Sequence, residues 1–255
     1  MENITCLVTG SAGFIGSHLV KELRKIGCKV IEFDLGDKLP KGGVDVVYHL
    51  AANANAYDSV SHPEKAFKNL EIMFKVLEWM RKTGTKKIIF TSSREAFSLV
   101  NPYGASKLAC ENLIEPYCKT FGFAAISARL ANVSGKGNLS YRFIENTIEK
   151  CGKNEDVEIY GDKVINFINI KECVEKLIGL TNFLVPCVNT VFEIANEKSY
   201  PLKDVAKRIK KLTSSKSKIV MKDNRLGETL EYYPQQKTWL IKTRINEIIK
   251  RCLYL

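Results

Sequence analysis

The sequence predicts an α/β protein with a doubly wound parallel sheet and a smaller mixed region at its C-terminal end. Two observations carry that expectation. Short continuous apolar runs alternate with helix-length amphipathic segments through the first half, as in a sheet covered on both faces. The first apolar run opens directly into a glycine-rich turn and then a helix.

The elements follow in order. "NITCLVTG" is a buried strand, and "GSHLVKELRKIG" an amphipathic helix ending at Gly27. "KVIEFD" is the second strand, followed by "VDVVYHLAA", "KKIIFTSS" and "AAISARLAN". Two long helices, "EKAFKNLEIMFKVLEWMRKTG" and "YGASKLACENLIEPYCKTFG", separate these later strands. Phe67, Leu70, Phe74, Leu77 and Met80 recur at near-helical spacing in the first of them, a pattern expected of a core face.

Only ten residues, Leu35 to Val44, stand between the second strand and "DVVYHLAA". That is too few for a helix, a strand and another helix, so the sheet should be shortened around its third strand. After Arg129 the alternation loosens into "RFIENTIEKCGK", "VEIYG", "INFINIKECVEKLIGL", "VFEIAN" and "LKDVAKRIKKL". The expected division is a parallel-sheet domain over 1–135 and a smaller region over 136–255, with some segments within about 157–195 returning to the core sheet.

Composition excludes several classes. Apolar residues make up 45% of the 255 and charged residues 26%, the balance of a globular chain. No run of eighteen uncharged apolar residues offers a membrane span. "MENITCLVTG" enters a strand pattern without a basic n-region, so a cytoplasmic protein is expected. None of the eight cysteines forms a C-x-x-C pair and none of the three histidines is paired at ligand spacing, so no metal site is expected. The net charge of +11 is concentrated after Lys198, without the aromatic interleaving or zinc-finger pattern of a nucleic-acid binder. A solvated basic face near an anionic substrate is the preferred reading.

"VTGSAGFIGSHL" places Gly10, Gly13 and Gly16 between strand and helix. In the Rossmann-type arrangement the first glycine permits the tight turn, the second lets backbone approach a pyrophosphate, and the third allows close packing. Free amides at the helix start then receive the anion. Asp34, at the end of the second strand, suits the ribose hydroxyls and would repel a 2′-phosphate, which predicts NAD rather than NADP.

In "NPYGASKLAC", Asn101 and Pro102 read as an N-cap and first helical residue, which sets Tyr103 and Lys107 one turn apart on one face. An ammonium beside a phenol favours the phenolate, so Tyr103 is a candidate general base and acid. Ser93, at the carboxyl end of "KKIIFTSS", is a candidate to hold the reacting oxygen.

"GSAGFIGSHL", "HLAA", "FTSS" and "PYGASKLACE" closely resemble the extended short-chain dehydrogenase/reductase family of NAD-dependent nucleotide-sugar epimerases and dehydratases, strongly over residues 3–135. The resemblance implies Ser93, Tyr103 and Lys107 as catalytic residues. It implies Gly10, Gly13, Phe14, Ile15, Gly16, Asp34, Leu50, Ala51, Ala52 and Asn69, with Tyr103 and Lys107, around NAD. For substrate it implies Ser93, Glu95, Asn132 and Arg225, with Arg129 and Gly135 in the same "R-x-x-N-x-x-G" segment as Asn132. The substrate it implies is a nucleotide sugar, a UDP-hexose first, and the reaction is epimerisation at C4 through a transient 4-keto sugar. A 4,6-dehydratase or 4-keto-sugar reductase is the alternative, and a non-catalytic dinucleotide-binding regulator is the alternative of another class. A homodimer through the two long helices is implied as well.

The chain also departs from the family. The loop between the serine strand and the tyrosine helix is cut to "REAFSLVN". Ile165 and Asn166 stand where many relatives have an arginine-aspartate pair, leaving Lys163 as a substitute cation for the diphosphate. Glu95 occupies the position of the dehydratase and decarboxylase glutamate, but its neighbour is Arg94 where dehydratases have an aspartate. A salt-bridged Glu95 is therefore the favoured expectation.

Overall fold

The protein is described by a computed structural model covering residues 3–137, 142–234 and 240–253. Its elements in chain order begin with β1 (Thr5–Thr9), α1 (Phe14–Lys25), β2 (Lys29–Phe33), β3 (Val46–His49), the short α2 (Asp58–Ser61) and α3 (Pro63–Thr83). Then come β4 (Lys87–Ser93), the short α4 (Glu95–Ser98), α5 (Pro102–Phe121), β5 (Ala124–Leu130), β6 (Asn132–Ser134) and α6 (Phe143–Lys153). The remainder is β7 (Val157–Tyr160), β8 (Val164–Asn169), α7 (Ile170–Gly179), β9 (Val188–Ile194), β10 (Ser199–Pro201), α8 (Leu202–Leu212), β11 (Ile219–Lys222) and α9 (Ile245–Leu253).

A six-stranded sheet runs in the order β2-β1-β3-β4-β5-β9. The pairings of β1 with β2 and β3, of β3 with β4 and of β4 with β5 are all parallel. From β1 the chain winds outward to β2, then returns to place β3 on the other side of β1. That reversal makes the carboxyl ends of β1 and β3 the switch point at which such sheets bind ligands. The shortening is real: β2 is the edge strand, and positions 35–44 contribute neither helix nor strand. This connection is fastened instead by the Trp79 indole N–H donating to the Pro40 carbonyl at 2.8 Å and by Val44 N–H donating to Thr85 Oγ1 at 3.0 Å.

Local signals set the two long helices. Pro63 starts α3 and Gly84, at φ 77°, ends it. Asn101 Oδ1 caps α5 by accepting from Gly104 N–H at 2.8 Å, Pro102 follows at the first helical position, and Gly122 closes the helix at φ 70°. Leu7, Val47, Ile88, Phe90 and Ala125 of the sheet pack with Met73, Leu77 and Met80 of α3 and Ile114 and Cys118 of α5. Each large side chain buried this way contributes about 1.5–3 kcal/mol.

The apolar stripe expected in α3 divides. Leu77 and Met80 are buried and Leu70 packs at the core's margin, but Phe67 and Phe74 are 69% and 52% exposed. Seven residues apart, these two share a helix side away from the buried Ala66, Asn69, Met73 and Val76.

The chain forms two compact units: Met1–Leu130 with Val174–Phe192, and Ala131–Cys173 with Glu193–Leu255. β6 pairs with β8 within the second unit. Val174–Phe192 belongs to the first unit, whereas β7 and β8 lie in second-unit sheets, β11-β7 and β10-β8-β6. The second unit has its own core of Ile144, Ile159, Phe167, Val205, Ile209, Ile248 and Ile249, among others. α8 turns Leu202, Val205, Ala206 and Ile209 inward and leaves Lys203, Lys207, Arg208 and Lys211 exposed, so part of the basic surplus lies on a solvated face.

Candidate active site

At the end of β1 the chain turns at Gly10, where φ is +71° and a Cβ would stand 2.7 Å from the Ala51 nitrogen. A Cβ at Gly16 would stand 2.0 Å from the Gly10 carbonyl oxygen. The turn and the first turn of α1 are therefore in backbone contact that only glycine allows. Gly13 is the N-cap of α1 and supplies no side chain, and no acid lies in the helix's first turn. The start of α1, at Phe14, Ile15 and Gly16, thus has no side-chain cap, the arrangement that suits an anion. Asp34 Oδ2 accepts from Ala12 N–H at 2.6 Å and from the Ser11 hydroxyl at 3.3 Å, so the acid also holds the turn to the end of β2. A cavity of about 400 Å³ adjoins this turn, lined by Ser11, Ala12, Ser17, Lys21, Arg24 and Glu32 among others. Glycine turn, uncapped helix start and strand-end acid together fit a dinucleotide.

Leu50, Ala51 and Ala52 follow β3 across the switch point. Thr9 Oγ1 accepts from Ala51 N–H at 3.2 Å and lies 2.8 Å from His49 Nδ1, joining the ends of β1 and β3. Asn69, 2% exposed on α3, fixes the next residue: its Oδ1 accepts from Asn53 N–H at 2.8 Å. Its Nδ2 donates to Ser106 Oγ on α5 at 3.0 Å. Asn69 therefore ties the loop after "HLAA" to the helix that carries the tyrosine.

Tyr103 and Lys107 lie on the buried face of α5, and Ser93 ends β4. The Lys107 ammonium donates to the Thr91 carbonyl at 2.8 Å, sits 4.7 Å from the Phe90 ring centroid and lies 5.8 Å from that of Tyr103. Burial pulls Lys107 down to about 8, opposed by Cys110 and Glu111. At neutral pH it remains mostly an ammonium beside the phenol ring. His49 is pushed down to about 3 by burial and by Lys107, so it stays neutral. Ser93 Oγ accepts from Glu95 N–H at 3.2 Å, which leaves its own proton to donate.

Glu95 is committed within the protein. It pairs with Arg94 at 3.0 Å, with both side chains about nine-tenths buried, and accepts from Asn101 Nδ2 at 3.1 Å. Its carbonyl approaches so closely that a Cβ at Gly104 would meet it at 2.3 Å. This is the salt-bridged alternative, and the mutual hold of Arg94, Glu95 and Asn101 sets the entry into α5.

Arg129 does not stand free for a ligand. Its Nε and Nη2 grip the Glu111 carboxylate at 3.0 and 2.7 Å, and the Ser92 hydroxyl donates to the same carboxylate. Sequence reasoning passed over Glu111, whose one signal is its place one turn beyond Lys107. In the second unit, Asn132 Nδ2 donates to the Asn166 carbonyl at 3.4 Å, and Gly135 N–H to Glu145 Oε1 at 2.8 Å. The Arg225 guanidinium carbon lies over the Tyr160 ring, 3.5 Å from its centroid, a cation–π contact. Lys163 is buried in an ion pair with Glu228, so it is not a free substitute for a missing diphosphate arginine. Among the described residues no group of three or more His, Cys, Asp or Glu could hold a metal ion, and no helix is long and apolar enough to cross a membrane.

A parallel sheet with this order and a glycine turn at its switch point define a Rossmann-type dinucleotide-binding protein. Comparison narrows the class: residues 6–181 match the NAD dependent epimerase/dehydratase family, and the chain belongs to it. A putative UDP-glucose 4-epimerase of Methanocaldococcus jannaschii is 28% identical, with 96% of each chain covered. A UDP-N-acetyl-alpha-D-glucosaminuronate decarboxylase of Bacillus cytotoxicus is 29% identical over 84% of this chain and 82% of its own. The structure of UDP-glucose 4-epimerase from Thermotoga maritima with UDP-glucose superposes with a TM-score of 0.88 at 25% identity, covering 98% of this chain and 97% of that one.

Proposed function

We propose that the protein interconverts a nucleotide sugar, a UDP-hexose, at C4 through a 4-keto intermediate. The observation that carries this reading is the commitment of Glu95 to Arg94 and Asn101 beside an intact Ser93, Tyr103 and Lys107. A dehydratase needs a further side chain to move a proton on carbon, whereas an epimerase needs only the tyrosine's proton exchange at oxygen. The relatives named for UDP-glucose 4-epimerisation support the same choice.

Tyr103 takes the proton of the sugar 4-hydroxyl and returns it after the ketone has turned over. Lys107 stabilises the phenolate, and Ser93 donates to the reacting oxygen. NAD, when bound, accepts a hydride from the sugar and gives it back. Gly10, Gly13, Phe14, Ile15, Gly16, Asp34, Leu50 to Ala52 and Asn69 hold that cofactor, and Asn132 and Arg225 engage the substrate. The exposed Phe67 and Phe74 of α3 are read as part of a homodimer surface.

The test is to incubate the purified protein with UDP-glucose and, separately, UDP-galactose, and follow the sugar by proton NMR. Interconversion without net NADH and without loss of water is expected. A 4-keto-6-deoxy product, or one NADH consumed per turnover, would replace this reading with dehydration or reduction.

A further inference from the structure

We propose that Glu111 is a positioning residue for Tyr103 and Lys107, holding the lysine's charge in place from one helical turn below. The proposal rests on the reading of those two residues as the reacting pair. Positions 103, 107 and 111 recur every fourth residue, so phenol, ammonium and carboxylate leave α5 along one face. The carboxylate is 4% exposed, a placement tolerated only when it is paired and hydrogen-bonded.

Two strands supply that pairing, and a third holds the same residue's backbone. Arg129 of β5 makes a two-pronged contact at 3.0 and 2.7 Å, and the Ser92 hydroxyl of β4 donates to the same group. Asn189 of β9 donates to the Glu111 carbonyl at 3.1 Å and accepts from the Ser127 hydroxyl of β5 at 3.0 Å. Buried ion pairs of this kind contribute little net stability compared with apolar packing. What this one does supply is a fixed rotation of α5 about its axis and a negative charge close to Lys107. Ser92 and Ser93 are adjacent, so the strand end bearing the candidate serine is anchored by the same carboxylate.

The charged and titratable groups around Lys107 are few. His49 of β3 is neutral, Cys110 and Tyr103 share α5 with it, and α3 presents the uncharged Asn69. The Arg129 guanidinium is spent on Glu111. Among the described residues, Glu111 is thus the carboxylate that opposes the desolvation of Lys107.

The experiment titrates Lys107 by carbon NMR in protein labelled at lysine Cε, with the signal assigned by its loss in Lys107→Met. Glu111→Gln keeps the shape and removes the charge, and it should lower the Lys107 midpoint by about one pH unit, tenfold in the protonation equilibrium. In turnover assays the alkaline limb should move down by the same amount. If Glu111→Gln does not fold, Arg129→Gln removes the cation that offsets the Glu111 carboxylate and should raise the midpoint instead. The midpoint needs no substrate, so it can be read even if the epimerase assignment fails. An unchanged midpoint in a folded variant, with only a lower melting temperature, overturns the proposal.

Discussion

Replacing Gly16 with alanine tests whether the first turn is shaped by backbone contact. The added Cβ would stand 2.0 Å from the Gly10 carbonyl oxygen and 2.9 Å from Gly10 C and Ser11 Cα, all main-chain atoms. Ordinary contact begins at 3.4 Å, so helix and turn must separate by about 1.4 Å. Gly10 cannot yield easily, because its backbone is already packed against that of Leu50 and Ala51. Overpacking of this kind costs about 1–3 kcal/mol in stability. Displacing the amides that would receive the diphosphate should also weaken NAD binding at least about tenfold, or 1.4 kcal/mol. Gly152→Ala, in α6 with nothing within 4 Å, is the control and should be neutral or slightly stabilising. Thermal melts and calorimetric NAD titration read both effects. A Gly16→Ala protein that melts and binds NAD as the parent does would refute the account of the turn.

Glu95→Gln should lower the melting temperature through the lost Arg94 pair yet reduce kcat by less than about tenfold; a loss of the 10²–10⁴ expected for a proton-transfer group would assign Glu95 to the chemistry. Turnover should fall above about pH 8 as Lys107 loses its proton. Because burial depresses this lysine, the folded form sheds the proton before the unfolded chain does. Its contribution to stability should therefore rise between about 8 and the ordinary 10.5, measured as wild type against Lys107→Met; a difference that shrinks over that range contradicts the burial. Phe67→Glu with Phe74→Glu should leave the fold intact and give a monomer by light scattering, and a parent that is already monomeric at micromolar concentration removes the dimer.

Much of the fold was legible because it depends on local signals. The glycine turn between β1 and α1, the caps Asn101 and Gly122, and the brevity of positions 35–44 each act over a few residues. The spacing of Tyr103 and Lys107 needed only a helix to place both on one face. Periodicity alone could not say which apolar residues of α3 would be covered, because Phe67 and Phe74 obey the helical repeat while facing outward. Nor did any local pattern reveal the pairing of Lys163 with Glu228, or of Glu111 with Arg129, since partners distant in sequence meet only after folding. The change of sheet after β5 is silent for a related reason: one residue, Ala131, separates β5 from β6, with no proline or glycine to mark it.

The central claim concerns a single hydroxyl. Tyr103→Phe removes that oxygen and leaves the ring, the helix and the Lys107 contact to Thr91 in place. Measured on UDP-galactose with NAD content determined in the same preparation, the variant should retain the dinucleotide and lose at least about 10²-fold in kcat. Full turnover by the phenylalanine variant, with NAD bound, would contradict the account.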